Sequence, residues 1–291
     1  MNRRTGPRQI IVSGMFAAVF FLFSTTAASA ALGEENLRQN IPAEGLKVYF
    51  IQLTSGEATL IQTPEEETIL VDTGSSFSKD ELFSFFNEQE IRHIDRLVIT
   101  NAQDEHFGNF KDIYDTYEPR QIYFPFYLED YFQQLELGEA TEAHALKRGD
   151  SLEWGESNIH ILHPTVPLSL GMKDNSLVFQ LVHGEQRFLF MSEATRRVEQ
   201  ELLNGYDLHS QILKVGDFGS LEASGEDFLK EVDAHVAVIF YRPEYYLEPE
   251  VLERLEESWV DVYPVKQHGH ILVISQKDDY DVFMLPPKQD S

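Results

Sequence analysis

A polar loop, Asn101–Gly108, carries residue types that bind metal ions. It follows a short apolar stretch, Arg96–Thr100, and offers two amides, two carboxylates and an imidazole within eight residues. Amide and carboxylate oxygens suit hard cations such as Mg²⁺, Mn²⁺ and Ca²⁺, whereas imidazole also suits zinc. The loop therefore predicts either a metal site or a pocket of polar side chains that hydrogen-bond one another.

Other candidate ligands and nucleophiles lie outside this loop. The chain has no Cys, which excludes a thiol nucleophile, a Cys-ligated zinc or iron–sulfur centre and a disulfide scaffold. His268 and His270 are two residues apart, a spacing that on a strand would form a small metal clip. His163 could approach the polar loop from a neighbouring strand, or cap a loop of its own. Ser220 lacks the G-x-S-x-G pattern of a hydrolase nucleophile.

Two groups of aromatic residues accompany these polar segments. The first spans Tyr123–Tyr127 and continues to Tyr131 and Phe132, and the second spans Tyr241–Tyr246. Aromatic side chains beside carboxylates can stack on sugars or hold a partner protein, and they also pack cores. Because the second group follows a predicted strand, the candidate binding aromatics are Tyr241, Tyr245 and Tyr246.

The composition limits the classes of function. The chain has 291 residues, with 23 Lys and Arg against 49 Asp and Glu, and a formal net charge of −26. Binding to nucleic acid depends mostly on cations that neutralise phosphates, so this charge argues against a nucleic-acid partner. With 42% hydrophobic and 12% aromatic residues, the chain can bury a large core, which excludes global disorder.

The first thirty residues resemble a secretory signal peptide. Residues 1–8 are basic, Ile10–Phe23 is uncharged and mostly apolar, and Ala28-Ser29-Ala30 forms an A-x-A cleavage site. The fourteen apolar residues are fewer than the roughly 18–20 that a membrane span requires. We therefore expect cleavage after Ala30, an extracellular or cell-envelope location, and no transmembrane segment afterwards. Residues 31–45 form a polar lead-in, 46–285 one domain and 286–291 a polar tail.

Strand-like and helix-like segments alternate along the domain. Predicted strands include Leu46–Leu53, Thr59–Gln62 and Thr68–Val71, and a hairpin is predicted from Leu177–Val182 and Arg187–Met191. Ser78 and Glu81 form a capping-box pattern at the start of a helix. Helices Ala194–Leu203, Gly225–Val232 and Glu248–Glu257 alternate with strands Ile212–Val215 and His235–Phe240. This alternation predicts an α/β layered domain with its functional residues in the loops at strand ends.

Several motifs, in order, resemble the metallo-β-lactamase fold, and within it the soluble hydrolase-like domain of ComEC-type competence proteins. The motifs are Thr68-Ile-Leu-Val-Asp-Thr-Gly74, Asp174-Asn-Ser-Leu-Val178, Leu189-Phe-Met-Ser-Glu193 and Leu213-Lys-Val-Gly-Asp-Phe-Gly-Ser220. The likeness extends from about Leu46 to about Met284. The resemblance implies a four-layer αββα sandwich with the site along one edge of the two sheets. It also implies that Asp72 lies beneath the polar loop. There we expect Asp72 to hydrogen-bond backbone amides or His106.

The resemblance also shows that most of the family's metal ligands are replaced. The family's T-H-x-[HD]-x-D-H motif reads Thr100-Asn-Ala-Gln-Asp-Glu-His106 here, and no histidine remains in its H-H-G-S motif. Amides bind zinc poorly, and clustered carboxylates repel one another unless a cation or a proton intervenes. Either Asp104 or Glu105 could point into the pocket. The candidate pocket consists of Asn101, Gln103, Glu105, His106, Glu193 and Asp217, with Asp72 in support.

These observations leave open whether the chain is an enzyme. The first interpretation is an exported protein with a degraded metal site that binds an unknown ligand or envelope protein and needs no cofactor. The second is a hydrolase of phosphodiester or related ester bonds that uses Mn, Ca or Zn in an oxygen-rich site. The third, a DNA-handling factor, follows from the likeness to competence proteins, but the acidic charge argues against it.

Overall fold

The computed structural model describes residues 42, 44–243 and 247–286. The predicted signal peptide at 1–30, most of the lead-in at 31–45, the tail from 287 and the aromatic residues Tyr245 and Tyr246 lie outside the described residues. Their assignments stay predictions. Within the described part of the chain, every helix is too short or too polar to cross a membrane.

Fifteen strands are formed by the described residues. In chain order they are β1 (Leu46–Phe50), β2 (Thr59–Gln62), β3 (Thr68–Val71), β4 (Arg96–Val98), β5 (Gln121–Pro125), β6 (Glu142–Leu146), β7 (Ser151–Trp154), β8 (Ser157–His163), β9 (Val178–His183), β10 (Gln186–Phe190), β11 (Ile212–Lys214), β12 (Val236–Ile239), β13 (Asp261–Pro264), β14 (His270–Ser275) and β15 (Tyr280–Leu285).

The α-helices of the described residues are short and lie between the strands. They are α1 (Lys79–Glu88), α2 (Asp104–Phe107), α3 (Phe110–Tyr117), α4 (Glu129–Gln133), α5 (Arg196–Leu203), α6 (Glu226–Val232), α7 (Pro249–Glu257) and α8 (Val265–His268). Short 3-10 turns occur at Ser76–Ser78, Phe126–Leu128, Lys173–Asn175 and Gly216–Gly219.

The strands form two mixed sheets. The first has the order β15-β14-β1-β2-β3-β4-β5-β6, and the second β13-β12-β11-β10-β9-β8-β7. In the first sheet the pairs from β3 to β6 are parallel and the others antiparallel. In the second sheet the pairs from β10 to β13 are parallel and the others antiparallel. Parallel strands end at the same edge of a sheet, which brings several loops together.

The main hydrophobic core lies between the two sheets. Alternate residues of each strand face it, as in β1, where Phe50 contacts Phe190 and Phe240 of the second sheet with ring centroids 6.0 and 6.2 Å apart. Tyr49, on the opposite face of β1, contacts Phe85 of α1 at 5.7 Å. A second core joins the outer face of β10–β12 to α5, α6 and α7. The predicted four-layer αββα arrangement is confirmed.

Two local predictions from the sequence are wrong. Ser78 makes no capping hydrogen bond to α1; its hydroxyl donates to the Ser55 carbonyl oxygen, while Glu81 accepts hydrogen bonds from Thr54. Loop contacts thus replace the capping box. His268 and His270 do not share a strand face, because His268 ends α8 and only His270 belongs to a strand.

Candidate functional site

Polar side chains converge at one edge of the sandwich, where strands of both sheets end. Asp72 follows β3, and Thr100 and Asn101 lie just beyond β4 in the first sheet. Glu193 follows β10 and Arg242 follows β12 in the second sheet. This edge is where α/β folds commonly bind ligands, because loops from neighbouring strands meet there.

The backbone at these strand ends adopts a conformation that is unusual for residues with side chains. Asp72, Ser192, Asp217 and Phe218 have φ values of 59°, 48°, 44° and 53°, all in the left-handed region. Non-glycine residues adopt this region at a cost and are enriched at functional sites. The sharp turns direct the carboxylates of Asp72 and Asp217 back into the protein, where both are buried.

His106, from α2, is fully buried at the centre of the site. Its Nδ1 lies 2.8 Å from Asp72 Oδ2, as the sequence predicts, and 3.7 Å from Glu57 Oε2. Its Nε2 lies 3.5 Å from Glu193 Oε1. Burial alone would lower the pKa of His106, but the negative charges of Asp72 and Glu57 outweigh burial and raise the pKa to about 10. His106 is therefore a cation at neutral pH.

A lysine–glutamate pair lies beside the histidine. Lys214 ends β11 and donates through Nζ to Glu57 Oε2 and to the Ser192 carbonyl oxygen, the latter at 3.0 Å. Both side chains of the pair are about 3% exposed. Burial raises the pKa of Glu57 to about 7, although Lys214 opposes the shift. The pair connects the loop after β1 in the first sheet to a strand of the second.

An arginine occupies the space between the remaining carboxylates. Arg242 Nη1 lies 3.1 Å from Glu193 Oε1 and 4.0 Å from Glu105 Oε1, and Nη2 lies 3.4 Å from Asp217 Oδ1. Lys173 reaches the same Asp217 oxygen at 2.6 Å. Burial alone would raise the pKa of Glu193, but the hydrogen bond and charge of His106, followed by Arg242, hold it below its ordinary value.

Buried charges of opposite sign therefore face one another throughout this site. Four carboxylates of the described residues, Glu57, Asp72, Glu193 and Asp217, lie against four basic side chains, His106, Lys173, Lys214 and Arg242. Only Lys173 has appreciable exposure, 27% of its side chain. Buried carboxylates must be neutralised by a partner, a proton or a metal, and here the chain itself supplies the cations.

The two amides at predicted ligand positions are engaged in hydrogen bonds. Asn101 Nδ2 donates to Ser176 Oγ at 2.8 Å, and Asn101 Oδ1 accepts the Gln103 backbone N–H at 2.8 Å. The Gln103 side chain donates through Nε2 to Glu193 Oε2. Both amides thus hold the loop and a carboxylate in place.

The structure distinguishes the two acidic residues of the loop. The Asp104 carboxylate accepts hydrogen bonds from the Ser75 hydroxyl at 2.6 Å and the Ser76 backbone N–H at 3.2 Å, away from the pocket. Glu105 is the residue that faces Arg242. Of the six predicted pocket residues, Asn101 and Gln103 act through amide hydrogen bonds, Glu105, Glu193 and Asp217 lie around Arg242, and His106 is itself one of the buried basic side chains.

Other residues singled out from the sequence have structural partners elsewhere. His163 is buried, with Nε2 2.7 Å from the Asp174 carbonyl oxygen, which matches loop capping. Ser220 donates its hydroxyl hydrogen to Asp217 Oδ2 at 2.6 Å. The ring of Tyr241 is covered by Lys266 Nζ at 3.6 Å from its centroid. Phe124 and Phe132 of the first aromatic group stack on each other at 3.9 Å.

Sequence reasoning missed four charged residues of the site, Glu57, Lys173, Lys214 and Arg242. None of the four is predicted there as a metal ligand or as a substitute for a metal ion. The sequence does contain a signal for Lys214, because it is a charged residue within the apolar strand Ile212–Val215. A lysine in a buried strand requires a carboxylate partner.

Comparison with known proteins identifies the family. The model of the metallo-beta-lactamase superfamily matches residues 52–243, a range that includes all the buried carboxylates and basic side chains of the site. The chain belongs to the metallo-beta-lactamase superfamily. Proteins with this fold normally bind metals such as zinc or iron.

Relatives and structural neighbours agree with this assignment. The chain is 23% identical to ComE operon protein 3 of Bacillus subtilis over 93% of its own length and 37% of the relative. It is 25% identical to competence protein ComA of Neisseria gonorrhoeae over 63% of its length and 25% of the relative. The chain thus spans between a quarter and just over a third of the length of these proteins. The metallo-beta-lactamase fold protein YhfI from Bacillus subtilis superposes with a TM-score of 0.59 and 15% identity, over 79% of this chain and 98% of YhfI.

The residues at the family's metal positions do not fit a metal centre. A zinc ion needs donors at about 2.0–2.2 Å, and here the guanidinium of Arg242 lies between Glu193 and Asp217. A further group of possible ligands lies beside it, because ligand atoms of Glu57, Asp72 and His106 are within 4.8 Å of one another. In that group Lys214 already contacts Glu57, and His106 Nδ1 is hydrogen-bonded to Asp72.

Proposed function

We propose that this chain is a non-catalytic member of its superfamily, exported to the outside of the cell or to the cell envelope. There it serves as a binding or accessory component for an unidentified ligand or envelope protein. Internal ion pairs replace the metal of the ancestral site and keep the strand ends of the two sheets together.

The position of Arg242 carries this proposal. Its guanidinium is 3.1 Å from Glu193 and 3.4 Å from Asp217, and all three residues are buried. A divalent cation bound by these carboxylates would lie against a fixed positive charge, which at such a distance is strongly unfavourable in a poorly solvated site. The neutral amides of Asn101 and Gln103 add no compensating affinity for zinc.

The N-terminal sequence supports export. A basic start, the apolar run Ile10–Phe23 and the small residues Ala28 and Ala30 match a secretory signal peptide. The absence of Cys from the whole chain means that export requires no disulfide formation.

Metal content and hydrolysis test the proposal together. In the first measurement, purified protein is dialysed at neutral pH and its metal content is determined by mass spectrometry. In the second, hydrolysis of bis(p-nitrophenyl) phosphate and of a chromogenic lactam is followed with and without a chelator. We expect well below one zinc per chain and no hydrolysis that the chelator abolishes. Stoichiometric zinc together with activity lost in Glu193→Ala or His106→Ala would refute the proposal.

A second candidate is a metal-dependent hydrolase of phosphodiester or related ester bonds. The cluster of Glu57, Asp72 and His106 favours it, because Glu57 Oε1 is buried and has no hydrogen-bond partner among the described residues. The same experiment separates the two candidates. Retention of manganese or calcium alone, with activity that depends on it, would favour the hydrolase.

A further inference from the structure

A small cavity lies where the two sheets meet, beside the buried charges of the candidate site. The first sheet contributes Thr59 and Val71 to its wall, and the second contributes Phe190 and Lys214. The space in which the centre of a water molecule fits has a volume of about 10 Å³. Because Glu57 also lines this space, we call it the Glu57 cavity.

One carboxylate oxygen of the cavity wall lacks a hydrogen bond. Glu57 Oε2 contacts Lys214, whereas Glu57 Oε1 is buried and has no hydrogen-bond partner among the described residues. Glu57 is 3% exposed, so bulk water does not reach its carboxylate freely. A buried polar atom without a partner is costly, and in folded proteins an ordered water or an ion usually satisfies it.

The same wall carries further groups that can bind a small polar molecule. Lys214 Nζ has three hydrogens, and its contacts with Glu57 Oε2 and the Ser192 carbonyl oxygen use two of them. Thr59, which carries a hydroxyl, and Asp72, which carries a carboxylate, also line the cavity. A buried water needs two to four polar partners, and this wall provides that number.

We propose that the Glu57 cavity binds one resident water molecule, which donates a hydrogen bond to Glu57 Oε1 and links the two sheets. The volume of about 10 Å³ is close to the smallest that holds a water, so a second water or a larger solute does not fit. The water has a second hydrogen and two lone pairs with which to bind groups on the opposite wall.

The charges of the wall favour a neutral molecule over an ion. A divalent cation in this cavity would lie within a few ångströms of the buried Lys214 ammonium, and repulsion at that distance is strong in a poorly solvated site. An anion would meet the carboxylates of Glu57 and Asp72 in the same way. A water molecule avoids both repulsions. This argument depends on the cavity alone and not on the proposed function.

Crystal structures of the full chain at about 1.5 Å resolution test the proposal directly. One crystal is grown from protein dialysed against a chelator, and another is soaked in 1 mM MnCl₂ and measured near the manganese absorption edge. In both we expect a single peak of electron density at roughly 2.5–3.0 Å from Glu57 Oε1, the distance of an O–H···O hydrogen bond. We expect no anomalous signal in the Glu57 cavity of the soaked crystal.

Magnetic relaxation dispersion of deuterated water tests the same site in solution, because it counts the waters that stay inside a protein as it tumbles. Val71→Ile adds one methylene to the cavity wall and should lower the count by one. Val273→Ile is the matched control, since this buried core valine does not line the cavity, and it should leave the count unchanged. Thr59→Ile, which fills the same space, replaces Val71→Ile if that variant does not fold.

Three results would overturn the proposal. The first is the absence of electron density within hydrogen-bond distance of Glu57 Oε1. The second is an anomalous manganese signal in the cavity, which would place a metal ion there and favour the hydrolase. The third is an equal count of internal waters in the wild type and the cavity-filling variant. Metal-dependent hydrolysis by a protein that still holds the water would refute the proposed function only.

Discussion

Replacing Arg242 with alanine would remove the cation between Glu193 and Asp217. The side chain is only 4% exposed, and the two carboxylates are 0% and 1% exposed, so water cannot take its place freely. Removal of one partner from a buried ion pair costs about 3–5 kcal/mol, because the other charge stays buried and unpaired. In a protein of this size each kcal/mol lowers Tm by about 2–4 °C, so we expect a decrease of about 10 °C.

The assay is thermal unfolding of the wild type and Arg242→Ala, each with and without 1 mM MnCl₂. The variant has a gap lined by carboxylate oxygens, which Mn²⁺ prefers, so Mn²⁺ should raise its Tm. The wild type should gain little, because Arg242 already holds that position. Arg187→Ala is the control: Arg187 pairs with the largely exposed Asp207 at 2.5 Å, and removal of a surface pair costs at most about 1 kcal/mol.

Two outcomes would refute this reasoning. If Arg242→Ala unfolded at the same temperature as Arg187→Ala, Arg242 would not be neutralising buried carboxylates. If Mn²⁺ stabilised the wild type as much as the variant, the cation would bind somewhere other than the position of Arg242. An insoluble Arg242→Ala would be replaced by Arg242→Met, which fills more of the space and leaves the carboxylates equally unpaired.

Three further predictions concern pH, the second buried pair and processing. Folding raises the pKa of His106 from 6.5 to about 10, so the stabilising contribution of His106 is complete below about pH 6.5 and is lost as pH rises to about 10. The difference in unfolding free energy between wild type and His106→Gln, measured by urea titration, should therefore shrink between these two pH values. A difference that stays constant would contradict this prediction. Lys214→Met should lower the free energy of unfolding in urea by about 3–5 kcal/mol, and adding Glu57→Gln should restore most of that free energy. If the two substitutions instead lowered the free energy of unfolding additively, Lys214 and Glu57 would not form a direct pair. Mass spectrometry of exported protein should find Ala31 at the N-terminus, and material that retains residues 1–30 would argue for a membrane anchor.

The order of the elements could be predicted from the sequence because each buried strand is a short apolar run. Thr59–Gln62 and Thr68–Val71 were predicted with the observed bounds, and the predicted hairpin corresponds to β9 and β10. The region from α3 to β8 was not predicted in detail. Strand β6, for example, reads Glu142-Ala-His-Ala-Leu146 and is mostly exposed at the edge of its sheet, so it has no apolar pattern to recognise.

The location of the candidate site was predictable, but its charge pairing was not. The motifs that contain Asp72 and His106 resemble motifs of the metallo-β-lactamase fold, and this resemblance predicted that the ends of their two strands lie side by side. Arg242, in contrast, lies 49 residues from Glu193 and 25 from Asp217, and no local pattern links an arginine to such distant carboxylates. The choice between Asp104 and Glu105 depended on a hydrogen bond from Ser75, which only the packing of the loop reveals.

On the proposed function, the cross-sheet ion pairs restrict the order in which mutations could build a metal centre at these strand ends. A histidine introduced at Asp217 would meet the guanidinium of Arg242, and a histidine at Gln103 would remove the hydrogen bond to Glu193, so such substitutions alone would add imidazoles without creating a vacant coordination site. Substitution of Arg242 first would leave Glu193 and Asp217 unpaired before any new ligand exists. Substitution of Arg242 first therefore gives a less stable protein, and the metal affinity that each new ligand adds depends on whether the arginine is present. A metal centre at this position would thus require several coordinated changes rather than a single substitution.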